Sequence, residues 1–467
     1  MGRAEIRRFR RTAEEVTAFL KPKLDGNTRI KIVSHTDADG IASAAILARC
    51  LYSYNVPFAV KFGRAPEESD IVALAKEDYD LFVFLDQGSA QVEAINKYLL
   101  AKHADVLVID HHPGPTLESP NFSYLNPHHC GLQGAMDISA AGATFSVVEG
   151  IDLRFRSLIG LAIVGALGDR QEPPSGFSGV NDTLVKRAID LGLVNEGEGL
   201  RLIRRSLSPV LECIRSSTRP YMVGLSGSLE ACRSLTDALG ISHSSLISDL
   251  GPDAERGLRD AILARVGEMA ASEEFQHSLW GTLYSVATDD LVGPRELREY
   301  VAVLDACGNL RKSEIGFAVA VGDVSAQEDA LALLSSHQEQ MLRIMGWLVA
   351  RMSSFKSTPT FKYIDFGNAV DSGMVGETLS LAIESGLIPM EQPVLGIVDA
   401  AEGHAKISAR GNPKLVMKGI NLGQAMAKAS AEVGGYGGGH DVSAASRIPR
   451  ERLDEFIVKL DKALSGA

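Results

Sequence analysis

Three short apolar runs in the first quarter of the chain each break off into acidic and histidine side chains. "RIKIV" (29–33) leads to "HTDADG" (35–40), "LFVFL" (81–85) to "DQG" (86–88), and "VLVI" (106–109) to "DHH" (110–112). Runs of this length, rich in β-branched and aromatic residues and bounded by turn formers, read as strands, and continuous apolar character marks strands buried on both faces. Helical patterns follow at about 41–52 and from the second run through about Leu100, and "PFAVKF" (57–62) is a further strand. Strand–helix alternation predicts an α/β domain with a parallel sheet and helices on both faces. Ligands of such sheets bind beyond the carboxyl ends of the strands, so the three polar clusters are expected on one rim.

With 467 residues the chain is long enough for two or three domains. From about 195 to 310 it reads as mostly helical, with breaks at "SLSPVLE" (206–212) and "STRPYMVGLSG" (217–227), and a long helical stretch covers about 326–354. Strand-like segments return at 358–366, 393–400, 405–410 and 442–448, with helices at about 374–386, 421–431 and 450–464. The expected division is 1–195 for the first α/β domain, 196–310 for a mainly helical insert, 311–355 for connecting helices and 356–467 for a smaller α/β domain. Five scattered cysteines without CxxC spacing suit reduced thiols in a cytoplasmic protein. The start lacks the apolar stretch of a signal peptide, and the longest apolar run (158–168) is about half a membrane span, so a buried helix and no membrane association are expected. A net charge of −12 argues against a surface coated in nucleic acid and leaves room for a local basic groove.

His35, Asp37 and Asp39 stand at i, i+2 and i+4, which on an extended segment project from one face. Asp86, then Asp110, His111 and His112, follow the next two strands, and Asp169 ends the buried helix of "GLAIVGALGDRQ" (160–171). Alone, Asp86 reads as a cap or turn residue, the histidine pair as a loop and Asp169 as a turn. Together they bring carboxylates and imidazoles, without thiolate, to one place, a donor set suited to Mn²⁺ or Mg²⁺. Asp86, flanked by ligands on both sides, is placed to bridge two ions. Ions about 3.5–4 Å apart activate water and steady both oxygens of an in-line phosphoryl displacement.

These motifs resemble the DHH phosphoesterase superfamily, named for the triplet that stands here as Asp110-His111-His112. The resemblance implies two Mn²⁺ or Mg²⁺ ions per subunit. His35, Asp37 and Asp86 would hold one, and Asp39, Asp86, His111 and Asp169 the other. It further implies that Asp110 orients a ligating histidine and that His112 faces the scissile phosphate or assists the leaving group, so that Asp86, Asp110 and His112 are the catalytic set.

A second cluster lies near the C-terminus. "GGYGGGH" (434–440) has five glycines in seven residues, and "KISAR" (406–410) sets Lys406, Ser408 and Arg410 at alternate positions of a strand. Residues 401–450 carry seven Lys/Arg against three Asp/Glu in an otherwise acidic chain. A bare glycine run reads as a flexible loop; beside these cations its amides suit a phosphate-binding nest for a polyanion. The region resembles the DHHA1 domain, which implies that Ser408, Arg410, Gly437, Gly438, Gly439 and His440 bind substrate.

The combination, the helical segment 196–310 and the absence of a C-terminal OB-fold extension resemble the archaeal RecJ-like exonucleases. The resemblance implies an active site in the cleft between DHH and DHHA1 domains. Its activity would be two-metal hydrolysis of single-stranded DNA or RNA to mononucleotides in replication or repair, with the GINS complex as a further partner through the helical insert. Two alternatives stay open: a structural subunit of a GINS-containing helicase assembly, and a short-oligonucleotide or cyclic dinucleotide phosphodiesterase. "RRFRR" (7–11) reads as a non-specific strand contact or a solvated helix start, and His128–His129 as loop. Aromatic residues are 6% of the chain with no evident stacking platform, so weak base recognition is expected.

Overall fold

The computed structural model describes residues 3–439 and 441–465. The chain forms two compact units: Met1–Glu198 with Thr282–His337, and Gly199–Gly281 with Gln338–Ala467. None of the described helices is long and apolar enough to cross a membrane.

The first unit begins with α1 (Arg3–Leu20) and continues through β1 (Ile30–Ser34), α2 (Ala38–Ser53), β2 (Phe58–Phe62), β3 (Leu81–Leu85), β4 (Asp105–Ile109) and β5 (Phe122–Leu125). The sheet is wholly parallel in the order β2-β1-β3-β4-β5. β1, β3 and β4 are almost wholly buried, which is why their apolar runs lack alternation. β5, the short edge strand "FSYL", carries too weak a pattern to be expected from sequence. α3 (Ala140–Ile151) and α4 (Ile159–Gly168) pack with α2, and α4 is the buried apolar helix expected at 158–168.

A sheet of order 2-1-3-4-5 reverses its winding between β1 and β3, and a crevice opens there at the carboxyl ends. The register brings those ends level. Ser34 pairs with Leu85, Leu85 with Ile109, and Ile109 with Leu125. The next residues continue the ladder: His35 N donates to Leu85 O at 3.4 Å, Asp86 N to Ile109 O at 3.0 Å, and Asp110 N to Leu125 O at 3.1 Å. The three motifs therefore start side by side, one strand spacing (about 4.8 Å) apart.

One expectation is corrected here. Asp39 does not share an extended segment with His35 and Asp37. Asp37 caps α2, its Oδ1 accepting from Gly40 N at 3.0 Å, so the helix starts three residues earlier than expected and Asp39 lies in its first turn. The helical twist turns Asp39 away from its two predecessors.

The compact units also cut across the expected 196–310 insert. Residues 199–281 belong to the second unit and surround a core of their own that includes Cys213, Ile214, Met222, Leu258, Ile262 and Phe275. Residues 282–310 belong to the first unit, because α5 (Leu297–Asn309) buries Leu297, Tyr300, Leu304 and Cys307 and packs on α2 and α4. α5 also holds the loop after β1. Asp305 Oδ1 accepts from Ala38 N at 2.9 Å, and a Cβ on Gly308 would lie 1.8 Å from Thr36 O.

The second unit carries a six-stranded mixed sheet built from β6 (Lys356–Ser357), β7 (Lys362–Gly367), β8 (Val394–Ala400), β9 (His404–Arg410), β10 (Tyr436–Gly439) and β11 (Ser443–Pro449). The order is β10-β11-β9-β8-β7-β6, and only β7 and β8 run parallel. α6 (Val375–Glu384) packs on one face, with Leu379 and Val375 among Ile364, Val394 and Val398. α7 (Leu422–Glu432) and α8 (Leu453–Ser465) close the other, around Leu395, Ile407, Met426, Phe456 and Leu460. The central strand β8 meets both cores, and its first five residues are accordingly buried.

Replacing Gly308 with alanine is expected to destabilise the protein by about 1–3 kcal/mol through overpacking against Thr36. A urea midpoint equal to wild type would show that α5 is not held against that loop.

Candidate metal centre

Three groups of ligand atoms gather at the level strand ends: His35, Asp37 and Asp86; Asp86, His111 and His112; and Asp39, His111 and Asp169, each with its atoms within 4.8 Å of one another. Asp86 belongs to two groups and His111 to two, so the set is continuous. All of these residues lie in the first unit.

Asp86 is at the middle. Its backbone is left-handed, φ 56°, a conformation that Asp tolerates better than most residues but that still needs support from its surroundings. The β3–β4 ladder supplies it through Asp86 N. The carboxylate is buried and neither oxygen has a hydrogen-bond partner. The near nitrogens are His111 Nε2 at 3.2 Å from Oδ1 and His35 Nδ1 at 3.5 Å from Oδ2. A buried carboxylate without donors is costly, and a cation between these groups removes that cost.

The neighbours are held from behind. Asp39 lies at the N-terminus of α3, where Oδ2 accepts from Ala140 N at 2.7 Å and Oδ1 from Ala141 N at 2.8 Å; the helix end favours negative charge. His111 Nδ1 donates to Gly134 O at 2.8 Å, so that in the neutral ring Nε2 carries the lone pair, 3.2 Å from Asp169 Oδ2 and 4.0 Å from Asp39 Oδ2. His35 Nδ1 lies 2.7 Å from Asp37 Oδ2. Asp110 faces the protein instead: Oδ1 accepts from His111 N at 2.8 Å, His112 N at 3.1 Å and His112 Nδ1 at 2.6 Å, while Oδ2 accepts from Ser89 N at 2.9 Å. It shapes the triplet's own loop and orients His112.

Several supports carry no sequence signal of their own. Gln171 Nε2 donates to the same Gly134 O at 2.9 Å and lies 3.5 Å from Asp169 Oδ2, and its Oε1 accepts from Asn181 Nδ2 at 2.6 Å. A Cβ on Gly134 would lie 1.8 Å from His111 O. Asn126 Nδ2 donates to His112 O at 2.8 Å. The pair expected as loop, His128 and His129, lies in a short turn, Pro127–Cys130, and donates to His111 O at 3.1 Å and Gly114 O at 3.2 Å.

Burial dominates the titration, and repulsion between the acids adds to it. Burial pushes the Asp86 carboxyl well above its ordinary range, and Asp37, Asp39 and Asp110 push it further. Asp169 is likewise raised, by burial and by Asp39, with His111 pulling the other way. Asp39 is raised by burial, against the opposing pull of His111 and the α3 amides. Burial disfavours the His111 cation, but Asp169, Asp39 and Asp110 outweigh it and raise its pKa to about 9. The donor set, oxygen and imidazole nitrogen without thiolate, fits a hard or borderline divalent cation, and the unbonded Asp86 oxygens are where one is needed.

In the second unit, Ser408 and Arg410 share a sheet face with Lys406, as expected. Arg410 Nε donates to Ser380 Oγ at 3.0 Å and Lys406 Nζ to Ser372 O at 2.6 Å. Gly437 to Gly439 do not form the expected nest. They pair with Ser446, Ala445 and Ala444 of β11 as strand residues, Gly439 with φ 139°, so that successive amides alternate in direction. Glycine is required at 437 for close packing, since a Cβ there would meet Ser446 Oγ at 2.3 Å and Ser430 Oγ at 2.7 Å. His440 lies outside the described residues.

The model of the DHH family, N-terminal domain, matches residues 29–165, and that of the DHHA1 domain matches residues 364–466. The chain is 27% identical over 462 residues to an uncharacterized protein of Methanocaldococcus jannaschii, covering 97% of each. Its fold is similar to RecJ in complex with Mn²⁺ from Thermus thermophilus, at 17% identity and a TM-score of 0.59, over 98% of this chain and 55% of that one. The chain thus spans about half the length of that RecJ. It is also similar in fold to CDC45 from Entamoeba histolytica, at 12% identity and a TM-score of 0.62, over 98% and 99% of the two chains.

His111 must be neutral to offer Nε2 to a cation, so a proton competes with metal below its raised pKa of about 9. Mn²⁺ affinity is expected to rise with pH up to about 9 and binding to release protons. Calorimetry in buffers of different ionisation heat measures both, and a pH-independent affinity would remove His111 from the ligands. Gln171→Leu should weaken Mn²⁺ binding by about 10- to 100-fold through loss of the support behind Asp169 and Gly134; unchanged affinity would make Gln171 a packing residue only.

Proposed function

The chain belongs to the DHH/DHHA1 superfamily, and from that premise we propose that it is a divalent-metal-dependent exonuclease that hydrolyses the phosphodiester bonds of single-stranded nucleic acid. The observation that carries this reading is Asp86, a buried carboxylate with no hydrogen bond, standing between His35–Asp37 on one side and Asp39–His111–Asp169 on the other. Two cations, Mn²⁺ or Mg²⁺, are assigned to these two sides with Asp86 shared, where they would lower the pKa of water and neutralise charge on a phosphoryl group.

The protein's own groups then have distinct tasks. Asp110 takes the Nδ1 proton of His112 in a hydrogen bond, which fixes the ring and leaves Nε2 as the atom that meets a substrate oxygen. A neutral His112 accepts a proton there and a charged one donates to the leaving alkoxide, so it is assigned the general acid or base role. In the second unit, Ser408, Arg410 and the 437–440 segment are assigned to the substrate's phosphates. The locally basic charge of this region in a chain of net charge −12 supports a polyanionic substrate. A role in replication or repair is part of the same proposal and rests on the RecJ-like resemblance.

A second reading, a non-catalytic subunit of a replication assembly that includes GINS, is favoured by one observation: residues 199–281 pack around a core of their own, as a module that meets a partner would. Catalysis is preferred because a scaffold has no use for a centre of mutually repelling buried carboxylates. A third reading restricts the substrate to short oligonucleotides or cyclic dinucleotides.

With Mn²⁺ or Mg²⁺, the protein is expected to shorten single-stranded DNA or RNA labelled separately at each end, releasing mononucleotides from one end. Asp86→Ala and His111→Ala should each lower the rate at least about 100-fold, the usual loss of a group that stabilises developing charge. Turnover near wild type in either variant would overturn the metal assignment. Hydrolysis of dinucleotides and cyclic dinucleotides alone would support the third reading, and no hydrolysis with either metal would support the second.

A further inference from the structure

The open face of the second unit's sheet has an order of its own. Ala405, Ile407, Ala409, Ala444 and Ile448 point into the core under α7 and α8. The residues between them point to the opposite face. The register sets these in three rows across β9, β11 and β10: Lys406, Arg447 and Tyr436; Ser408, Ala445 and Gly438; and Arg410 with Ser443. Over β8 this face is covered by α6, with Val375 and Leu379 against Gly396. Toward β10 it is open. Ala445 is exposed, and a Cβ on Gly438 would meet nothing within 4 Å.

The middle row is thus a shallow floor of small side chains. The row beside it carries two cations, each tied down within the unit: Lys406 Nζ to Ser372 O at 2.6 Å, and Arg447 Nη2 to Ala401 O at 3.1 Å and to the exposed Glu402 Oε2 at 3.4 Å. That row ends in Tyr436, 63% exposed at the first position of an edge strand. An edge strand is where a large exposed ring is least expected, since it invites pairing with another chain.

We infer that Tyr436 is a stacking platform for one base of a single strand whose phosphates follow Lys406, Arg447 and Arg410. The inference rests on the nucleic-acid reading above and deepens it to a ligand longer than one phosphate group. Tyr436 lies two strands from Lys406, about 10 Å across the sheet at 4.8 Å per strand. A phosphate at Lys406 and a base on Tyr436 therefore belong to an extended chain, and a polyphosphate would leave the ring unused. Stacking on one ring tolerates any base, because every base has a π-face.

The test is binding by full-length protein in EDTA, so that the strand is not cut, read by fluorescence anisotropy with a labelled 12-residue single strand. Tyr436→Ala should weaken binding about ten-fold, within the usual range for loss of one stacked base, and Tyr436→Phe should bind as wild type. A strand of abasic residues should bind wild type and Tyr436→Ala equally. Equal binding of the normal strand by wild type and Tyr436→Ala would overturn the platform while leaving the nucleic-acid reading standing. A ten-fold loss on the abasic strand as well would also overturn it, by showing that the ring shapes β10 and does not stack. No binding of any strand by wild type would overturn the platform and the nucleic-acid reading together.

Discussion

Carboxylates held within reach of one another in a dry site repel, and the first unit is arranged so that they cannot separate. His35, Asp86 and Asp110 each give their backbone N–H to the last carbonyl of the neighbouring strand, which levels the three motifs on one rim. Asp39 is clamped by two amides at the start of α3. Asp86 is kept in a left-handed conformation by the ladder that runs through it. The remaining relief comes from imidazole: His111 is pulled toward its cation by the acids around it. A divalent cation supplies the same relief in larger measure, and that tension joins the fold to its proposed chemistry.

Rigidity at such a centre has to come from elements far apart in sequence. α5 arrives after the chain has built the whole of 199–281, yet Asp305 and Gly308 close on the loop between His35 and α2. Gly134 serves two masters with one carbonyl, accepting from His111 and from Gln171. Each of these contacts fixes the direction of a ligand and supplies none. The second unit follows another principle. It closes one sheet face with two helices and leaves part of the other bare, so that the row of Lys406, Arg447 and Tyr436 lies toward the open part.

Much of the first unit was legible in sequence because its strands are buried on both sides, and continuous apolar runs ending in polar clusters have few other interpretations. His35, Asp37, Asp39, Asp86, His111, His112 and Asp169 bring their ligand atoms together at that rim. The error over Asp39 came from treating "HTDADG" as extended; Asp37 is a helix cap, and the cap decides where the 3.6-residue period begins. The glycine run misled in the same way. Glycine permits a nest and an extended edge strand equally, and the choice was made by Ser430 and Ser446, which leave room for no side chain at 437. The helical segment 196–310 was read as one piece because helices look alike along a chain whichever core they join.

What the sequence by itself determined is the chemistry that depends on residue type and local period: a parallel sheet, strand ends loaded with oxygen and imidazole donors, and a basic glycine-rich region near the C-terminus. What only the tertiary structure decided is direction and support. Sequence spacing cannot tell which way a carboxylate turns after a helix cap, which carbonyl receives a histidine's proton, or that a lone tyrosine ends a row of cations. Those outcomes depend on register and on close approach between segments apart in sequence, from 23 residues for His111 and Gly134 to 267 for Ala38 and Asp305, and neither leaves a periodic trace in the chain.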